Sequence, residues 1–255
     1  MIIQKEEKEV KVNKSKFGLD ADEMFKAGLH FGHKKSKTNP KMKEYLYGVR
    51  NGIHLINLEK TIEKFEDALS YIKSIVSEGK TVLFIGTKIE SRDLVKKVAQ
   101  ECGCPYVAHR WLGGTFTNFT SIKKRVDYFI DLEKQKEEGE LIKYTKKEIV
   151  KIDRELKNLE VKFGGLKNLS KLPDVVFIAS IKEDDLAVKE AGSVGIKMIG
   201  IANTGANPTL VDFPIPANDS AVSSLKYILG KLKDVILKTT SKIKYIEEAE
   251  NKKVV

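Results

Sequence analysis

The side chains best equipped for chemistry in this 255-residue chain are concentrated between Gly28 and Thr61. Lys34, Lys35, Lys37, Lys41, Lys43 and Arg50 fall in one short span opposed only by Glu44, with Tyr45 and Tyr47 among them. Clustered cations are the electrostatic footprint of phosphate neutralisation, and interleaved tyrosines suit stacking on exposed bases or a ribose. A solvated basic face over half-buried tyrosines would give the same pattern. His30 and His33, with Asp212, form a candidate metal set. Imidazoles three residues apart are more often ordinary hydrogen-bonded groups, so no metal is expected.

Catalytic patterns are missing from the sequence. There is no G-x-S-x-G elbow, and the four histidines (His30, His33, His54, His109) stand without a nucleophile or metal-ligand spacing. Gly86-Thr87-Lys88 lacks the upstream glycine of a phosphate-binding loop, and Gly113-Gly114 completes neither that motif nor the dinucleotide turn. Cys102 and Cys104 flank a single residue with no second pair, and read as packing thiols. No catalysis, cofactor or small-molecule substrate is expected.

These groups need a scaffold, and the apolar pattern supplies one. Asn57 is placed to cap a helix with apolar residues at Ile62, Phe65, Leu69, Ile72 and Val76 and a stop at Gly79. Thr81 to Ile85 is a continuous apolar run ended by Gly86, the pattern of a central parallel strand. Helical spacing over 91–100, a strand at 106–108, a strand at 175–181, a helix at 184–191, strands at 197–202 and near Ile215, and a last helix from Asn218-Asp219 through Leu232 complete the alternation. Strands alternating with helices predict an α/β fold, a doubly wound parallel sheet of flavodoxin-like or Rossmann-like type.

Between the two halves the period changes. Ile149, Ile152, Leu156, Leu159 and Phe163 recur at steps of 3 and 4, the seam of a coiled coil. Ile122, Val126 and Phe129 supply a partner stripe, and Glu138-Gly139-Glu140 a reversal. An inserted antiparallel coiled-coil helical hairpin is predicted. The expected organisation is a mobile tail at 1–18, a discontinuous α/β domain at 19–112 and 168–240, the hairpin at 113–167, and a charged C-terminal tail at 241–255.

Net charge is +10, with 41% hydrophobic residues and 32% charged, above the usual quarter or so. The positive excess favours nucleic acid or an anionic membrane. No apolar run approaches the roughly 20 residues that span a bilayer. The segment before Phe17 has neither a secretory apolar core nor the acid-poor character of a transit peptide, so a cytoplasmic location and no membrane partner are expected.

Five stretches in order, Gly28–His33 (GLHFGH) with Asn39–Met42 and Arg50–Thr61, Phe84–Lys88, Arg110–Phe119 (RWLGGTFTNF), Leu172–Asp174 and Ile215–Asp219, resemble the S-two family of small-subunit ribosomal proteins. The likeness runs from about Gly28 to about Leu237. Trp111-Leu112-Gly113-Gly114 is similar to its bacterial-type branch, which characteristically carries the hairpin. The resemblance implies a structural protein of the small ribosomal subunit, acting in translation without catalysis, with small-subunit ribosomal RNA and other small-subunit proteins as partners. It departs from the family at Asn203, where a carboxylate is usual, and any ion held by that carboxylate is put in doubt. A nucleotide-binding enzyme on a Rossmann-like sheet and a helical-hairpin adaptor are the alternatives.

The expected RNA-binding set is Lys34, Lys35, Lys37, Lys41, Lys43, Arg50, Lys88, Arg110, Trp111, Asn118, Lys123, Lys124 and Arg125. An arginine forks to phosphate, Gly113-Gly114 permits close backbone approach, and Asn118 supplies donors. In the competing reading, Trp111 and Phe116 pin the hairpin to the sheet domain.

Overall fold

Order begins earlier than the apolar pattern implies. The computed structural model describes residues 16–139 and 145–251. Within the expected tail, Lys16 N donates to Glu66 Oε1 (3.0 Å), Phe17 packs on the core, and Lys231 Nζ donates to Gly18 O (2.6 Å). Residues 16–18 are therefore part of the fold, and the rest of that tail lies outside the described residues. Helix α1 (Ala21–Lys26) follows, capped by Asp20 and anchored by the fully buried Met24.

The basic segment is itself built on a sheet that the apolar pattern did not announce. Strands β1 (Phe31–Lys34), β2 (Leu46–Arg50) and β3 (Ile53–Ile56) pair antiparallel in the order β1-β3-β2. Asn51 (φ 50°) and Gly52 (φ 75°) form the two-residue turn between β2 and β3, where both positions need a left-handed backbone. Short 3-10 turns at Lys35–Lys37 and Pro40–Tyr45 link β1 to β2.

Helix α2 (Leu58–Ser77) starts where expected, with Asn57 Oδ1 accepting from Glu59 N at 2.9 Å, and buries Phe65, Leu69 and Ile72 completely. Then come β4 (Val82–Ile85), α3 (Ile89–Cys102), β5 (Tyr106–Val107), α4 (Phe119–Glu137), α5 (Lys146–Phe163), β6 (Val175–Ile178), α6 (Asp185–Val194), β7 (Lys197–Ala202), β8 (Phe213–Pro216) and α7 (Val222–Asn251). Helix α7 continues to Asn251, into the stretch assigned from sequence to a charged tail beginning at 241.

The five later strands are parallel in the order β5-β4-β6-β7-β8. The chain steps outward from β4 to β5, then crosses back to β6 on the other side, so the topological switch point lies between β4 and β6. Strand alternation divides the core. Val82, Phe84, Val175, Phe177, Ile199 and Ile201 share one apolar cluster with α2, α3 and α7. Leu83, Ile85, Val176 and Ile178 share the other with α6, Met42 and Trp111, and with Val126, Phe129, Leu156, Leu159 and Phe163 of α4 and α5. The apolar stripes of α4 and α5 are thus continuous with the cover of the second sheet face.

Helices α4 and α5 are joined by Tyr128 Oη to Glu155 Oε1 (3.2 Å) and Lys136 Nζ to Asp153 Oδ1 (2.6 Å). At their base Lys167 lies 2.9 Å from Glu133, 3.2 Å from Glu160, and over the ring of Phe129. Thr145 and Glu148 form a reciprocal capping box at the start of α5.

Candidate nucleic-acid interface

Two apolar anchors fix the basic segment. Met42 is fully buried in the second cluster and Tyr45 is buried beside it, while Lys41, Lys43 and Glu44 stay exposed around them. Only Tyr47, 80% exposed, is free to stack, because Tyr45 is part of the core. The segment is also tied to the loop after β7. His33 N donates to Thr204 Oγ1 (2.8 Å), Asn39 N to Thr204 O (2.8 Å), and Lys41 Nζ to Thr209 Oγ1 (3.1 Å). Gly32 is required here, since a Cβ on it would fall 2.4 Å from Thr204 Cγ2 and 2.9 Å from the His54 carbonyl.

On this rigid seat Lys34, Lys35, Lys37, Lys43 and Arg50 are all exposed, and none forms an ion pair among the described residues. Lysines elsewhere do pair, as Lys189 with Asp185 and Lys233 with Glu101. The surface therefore carries uncompensated positive charge held in one place by backbone hydrogen bonds, which is what phosphate neutralisation needs.

The crevice at the carboxyl ends of the parallel strands, where a doubly wound sheet holds its ligand, is filled by the chain's own side chains. Thr87 Oγ1 donates to Asp184 Oδ1 (2.7 Å) across the switch point between β4 and β6. Next to it Asp219 Oδ2 accepts from Ser180 Oγ (2.6 Å) and Oδ1 from Asn203 Nδ2 (2.7 Å). Lys88 Nζ lies 3.5 Å from Asp219 Oδ1 and donates to Ser220 Oγ (2.8 Å). Its side chain is only 17% exposed, so Lys88, expected on the RNA surface, is directed inward. Burial pushes the Asp219 carboxyl up, but its bonds to Ser180 and Asn203 and the Lys88 charge outweigh this and hold it below the usual value. Asp184 has weaker compensation, and burial raises it to about 6 despite the Thr87 bond. Gly86 serves packing, because a Cβ there would fall 2.7 Å from Val95 Cγ2.

The second expected contact, the loop from Arg110 to Asn118, is wrapped around one carboxylate. Glu190 of α6, 7% exposed, accepts from Trp111 Nε1 (3.1 Å), Gly114 N (2.8 Å), Phe116 N (3.0 Å) and Thr117 N (3.5 Å). Burial raises the Glu190 carboxyl, but these donors outweigh it and hold it below the usual value. The ring of Trp111 is buried and meets Phe116 edge-on at 4.8 Å. Trp111 is thus an internal pin, and the backbone N–H of Gly114, in the turn expected to permit close approach, serves Glu190. Arg110 and Asn118 are exposed beside this clamp. Lys124 and Arg125 are exposed one turn along α4, while Lys123 Nζ reaches Ser170 O (3.0 Å).

The model of the ribosomal protein S2 family matches residues 24–239 of this chain. The chain belongs to the ribosomal protein S2 family. It is 46% identical over 215 residues to the small ribosomal subunit protein uS2 of Dictyoglomus thermophilum, covering 84% of this chain and 87% of that one. The uS2 proteins of Francisella tularensis subsp. novicida and Francisella philomiragia are 41% identical over 215 residues, covering 84% of this chain and 90% of theirs.

The two histidines His30 and His33 of the basic segment have separate surroundings. His30 stacks on Phe25 (4.2 Å between ring centres, 6° between planes) and touches Phe31, and burial lowers its pKa. His33 faces Asp219, Lys182, Lys88 and Lys37. Burial and the three lysines lower its pKa against the pull of Asp219. Asp212 is elsewhere, holding Lys197 Nζ and Met198 N, so the candidate set of His30, His33 and Asp212 is not assembled. No group of three or more His, Cys, Asp or Glu among the described residues is placed to hold a metal. Burial pushes Cys102 up to about 12 and Cys104 to about 11, as packing thiols require. Asn203 supplies an amide donor where a second carboxylate would face Asp219.

Sequence reasoning missed Glu190, and placed Asp219 only at the start of the last helix and in a family-like stretch. An acidic residue three positions after Ala187 and beside Val188 and Ala191, among the apolar positions of its helix, was the one available signal for Glu190.

Proposed function

We propose that this protein is a structural constituent of the small ribosomal subunit, binding ribosomal RNA and neighbouring ribosomal proteins and acting in translation without catalysis. The observation that carries this is the row of uncompensated cations, Lys34, Lys35, Lys37, Lys43 and Arg50, mounted on a segment fixed by Met42 and Thr204. Exposed cations on a backbone that is already ordered contribute counterion release, and binding need order only their side chains. The family supplies the assembly, and the filled crevice is consistent with a sheet that serves as scaffold. Cytoplasmic ribosomes are the expected location.

The remaining RNA surface comprises Lys41, Arg110, Asn118, Lys124 and Arg125, with Lys123 joining when its bond to Ser170 O opens. The architecture is read as a discontinuous α/β domain, 19–112 with 168–240, carrying an antiparallel coiled-coil hairpin within 113–167. The cross-helix pairs Tyr128–Glu155 and Lys136–Asp153, and the buried Leu156, Leu159 and Phe163, support that reading. Residues 113–118 belong functionally to the Glu190 clamp at its root. Sedimentation of a tagged protein from a lysate tests the assignment. It should travel with the small subunit, and a protein that stays with the free soluble fraction refutes it.

A further inference from the structure

A second set of lysines encloses a groove at the opposite end of the parallel sheet from the basic segment. Helix α2 leads into the start of β4 and α7 follows the end of β8, so Lys73, near the close of α2, and residues 231–241, roughly 14–29 Å along α7 at 1.5 Å per residue, lie toward the amino ends of the strands. The basic segment is tied to the loop after β7, at the carboxyl ends. Between α2, α7 and residues 16–18 runs a groove of about 810 Å³. Its frame is fixed, because Lys16 N donates to Glu66 Oε1 of α2 and Lys231 Nζ donates to Gly18 O.

Two properties of the groove decide what fits it. Phe17, Val235 and Leu237 give it apolar surface, and Leu237 is left 37% exposed. Lys16, Lys73, Lys231 and Lys238 stand around that surface against one acid, Asp234. Lys16, Lys73 and Lys238 are exposed and form no ion pair among the described residues, while Lys231 Nζ lies 3.9 Å from Glu23. The occupant is therefore anionic. Apolar surface between the cations favours a peptide over a nucleic acid, because a phosphate backbone leaves Leu237 in water, whereas a segment with apolar and acidic side chains covers it and meets the lysines as well. Residues 1–15 of this chain hold four lysines and three glutamates, so they lack the complementary charge.

We propose that the groove between α2, α7 and residues 16–18 docks an acidic, apolar segment of a neighbouring small-subunit protein. This rests on the reading of the chain as a small-subunit constituent, and gives its protein partners a surface separate from the RNA face. Apolar side chains of the segment pack on Phe17, Val235 and Leu237, and its carboxylates reach Lys16, Lys73 and Lys238.

The test places a photo-reactive benzoylphenylalanine at Leu237, or in a second variant at the exposed Lys238, in the full-length chain, and irradiates purified small subunits. The adduct is identified by mass spectrometry. A cross-link to a stretch of another ribosomal protein that is rich in Asp or Glu and apolar residues is expected. Adding Lys73→Glu and Lys238→Glu to the Leu237 variant should leave the protein in the subunit and lower the yield of that adduct about fivefold or more, because two exposed charge pairs are replaced by repulsion. A cross-link to RNA, to a second copy of the chain, to its own residues 1–15 or to a basic protein segment overturns the proposal, as does the absence of any adduct at both positions. An adduct whose yield ignores the charge reversals overturns it too. In each of these cases a protein that still sediments with the small subunit keeps the functional reading intact, whereas a wild-type protein absent from small subunits refutes both.

Discussion

Removing the Glu190 carboxylate should loosen the whole loop from Trp111 to Thr117. In Glu190→Ala four donors lose their acceptor. Thr117 is exposed and Gly114 half-buried, so water can replace part of what they lose. Phe116 and Trp111, at 2% and 6% exposure, have no such access. An unsatisfied buried donor costs about 1–3 kcal/mol, so two give roughly 2–6 kcal/mol, centred near 4. In a domain of this size each kcal/mol shifts Tm by about 2–4 °C, so a drop of about 8–16 °C is expected by circular dichroism. Glu190→Gln keeps one acceptor oxygen but turns an NH2 toward the donors of the other, and should cost about half as much. The pH dependence has a fixed sign. The folded carboxyl titrates below its ordinary 4.5, so its contribution is complete above 4.5 and is lost as pH falls through the folded value. The gap between wild type and Glu190→Gln should close on acidification over that window. A Glu190→Ala protein within about 0.5 kcal/mol of wild type at pH 7, the usual surface range, would refute the clamp.

Replacing Lys34, Lys35, Lys37 and Lys43 together by Ala should leave Tm unchanged, because none forms an ion pair among the described residues, while the salt slope for ribosomal RNA falls by about 0.7–0.9 per lost phosphate contact; an unchanged slope removes these residues from the interface. Asp184→Asn should stabilise the protein at pH 7 by roughly 1–3 kcal/mol. The wild-type carboxyl titrates near 6 when folded and 3.8 when unfolded, so wild type loses stability as pH rises through that interval and the variant should not; equal pH profiles would contradict the burial argument. Calorimetry with ATP, GTP and NAD should give no saturable heat, since Thr87–Asp184 and Lys88–Asp219 fill the switch-point crevice, and micromolar binding abolished by Lys88→Ala would contradict this. Replacing residues 134–152 by a short linker should keep the fold, because the Lys136–Asp153 pair brings the helices together at that level, whereas removing 121–164 uncovers the second sheet face at Val126, Phe129 and Phe163 and should unfold much of the domain. Equal melting of the two deletions would show that this face needs no cover.

The sequence alone determined the parallel sheet. β4 and β6 are continuous apolar runs buried on both faces, β7 is buried throughout after its exposed Lys197, and α2 carries its own cap and stripe, so each element is written in residues close together. The basic segment was visible for the same reason, as unpaired cations in one short span. Tertiary structure decided which groups face the solvent. The small sheet of β1, β2 and β3 is mostly half-exposed, so it has no apolar alternation to read, and only the Asn51-Gly52 turn marks it. Trp111 and Lys88 carry the chemistry of a contact residue, yet Glu190 and Asp219, 79 and 131 positions away, draw them inward. Lys182 carries no local signal and reaches the basic segment only because β6 and β7 bring their ends beside His33. Local periodicity records which face of an element is apolar. The partner that satisfies a buried donor or charge is set by how the elements pack, and that is a property of the folded chain.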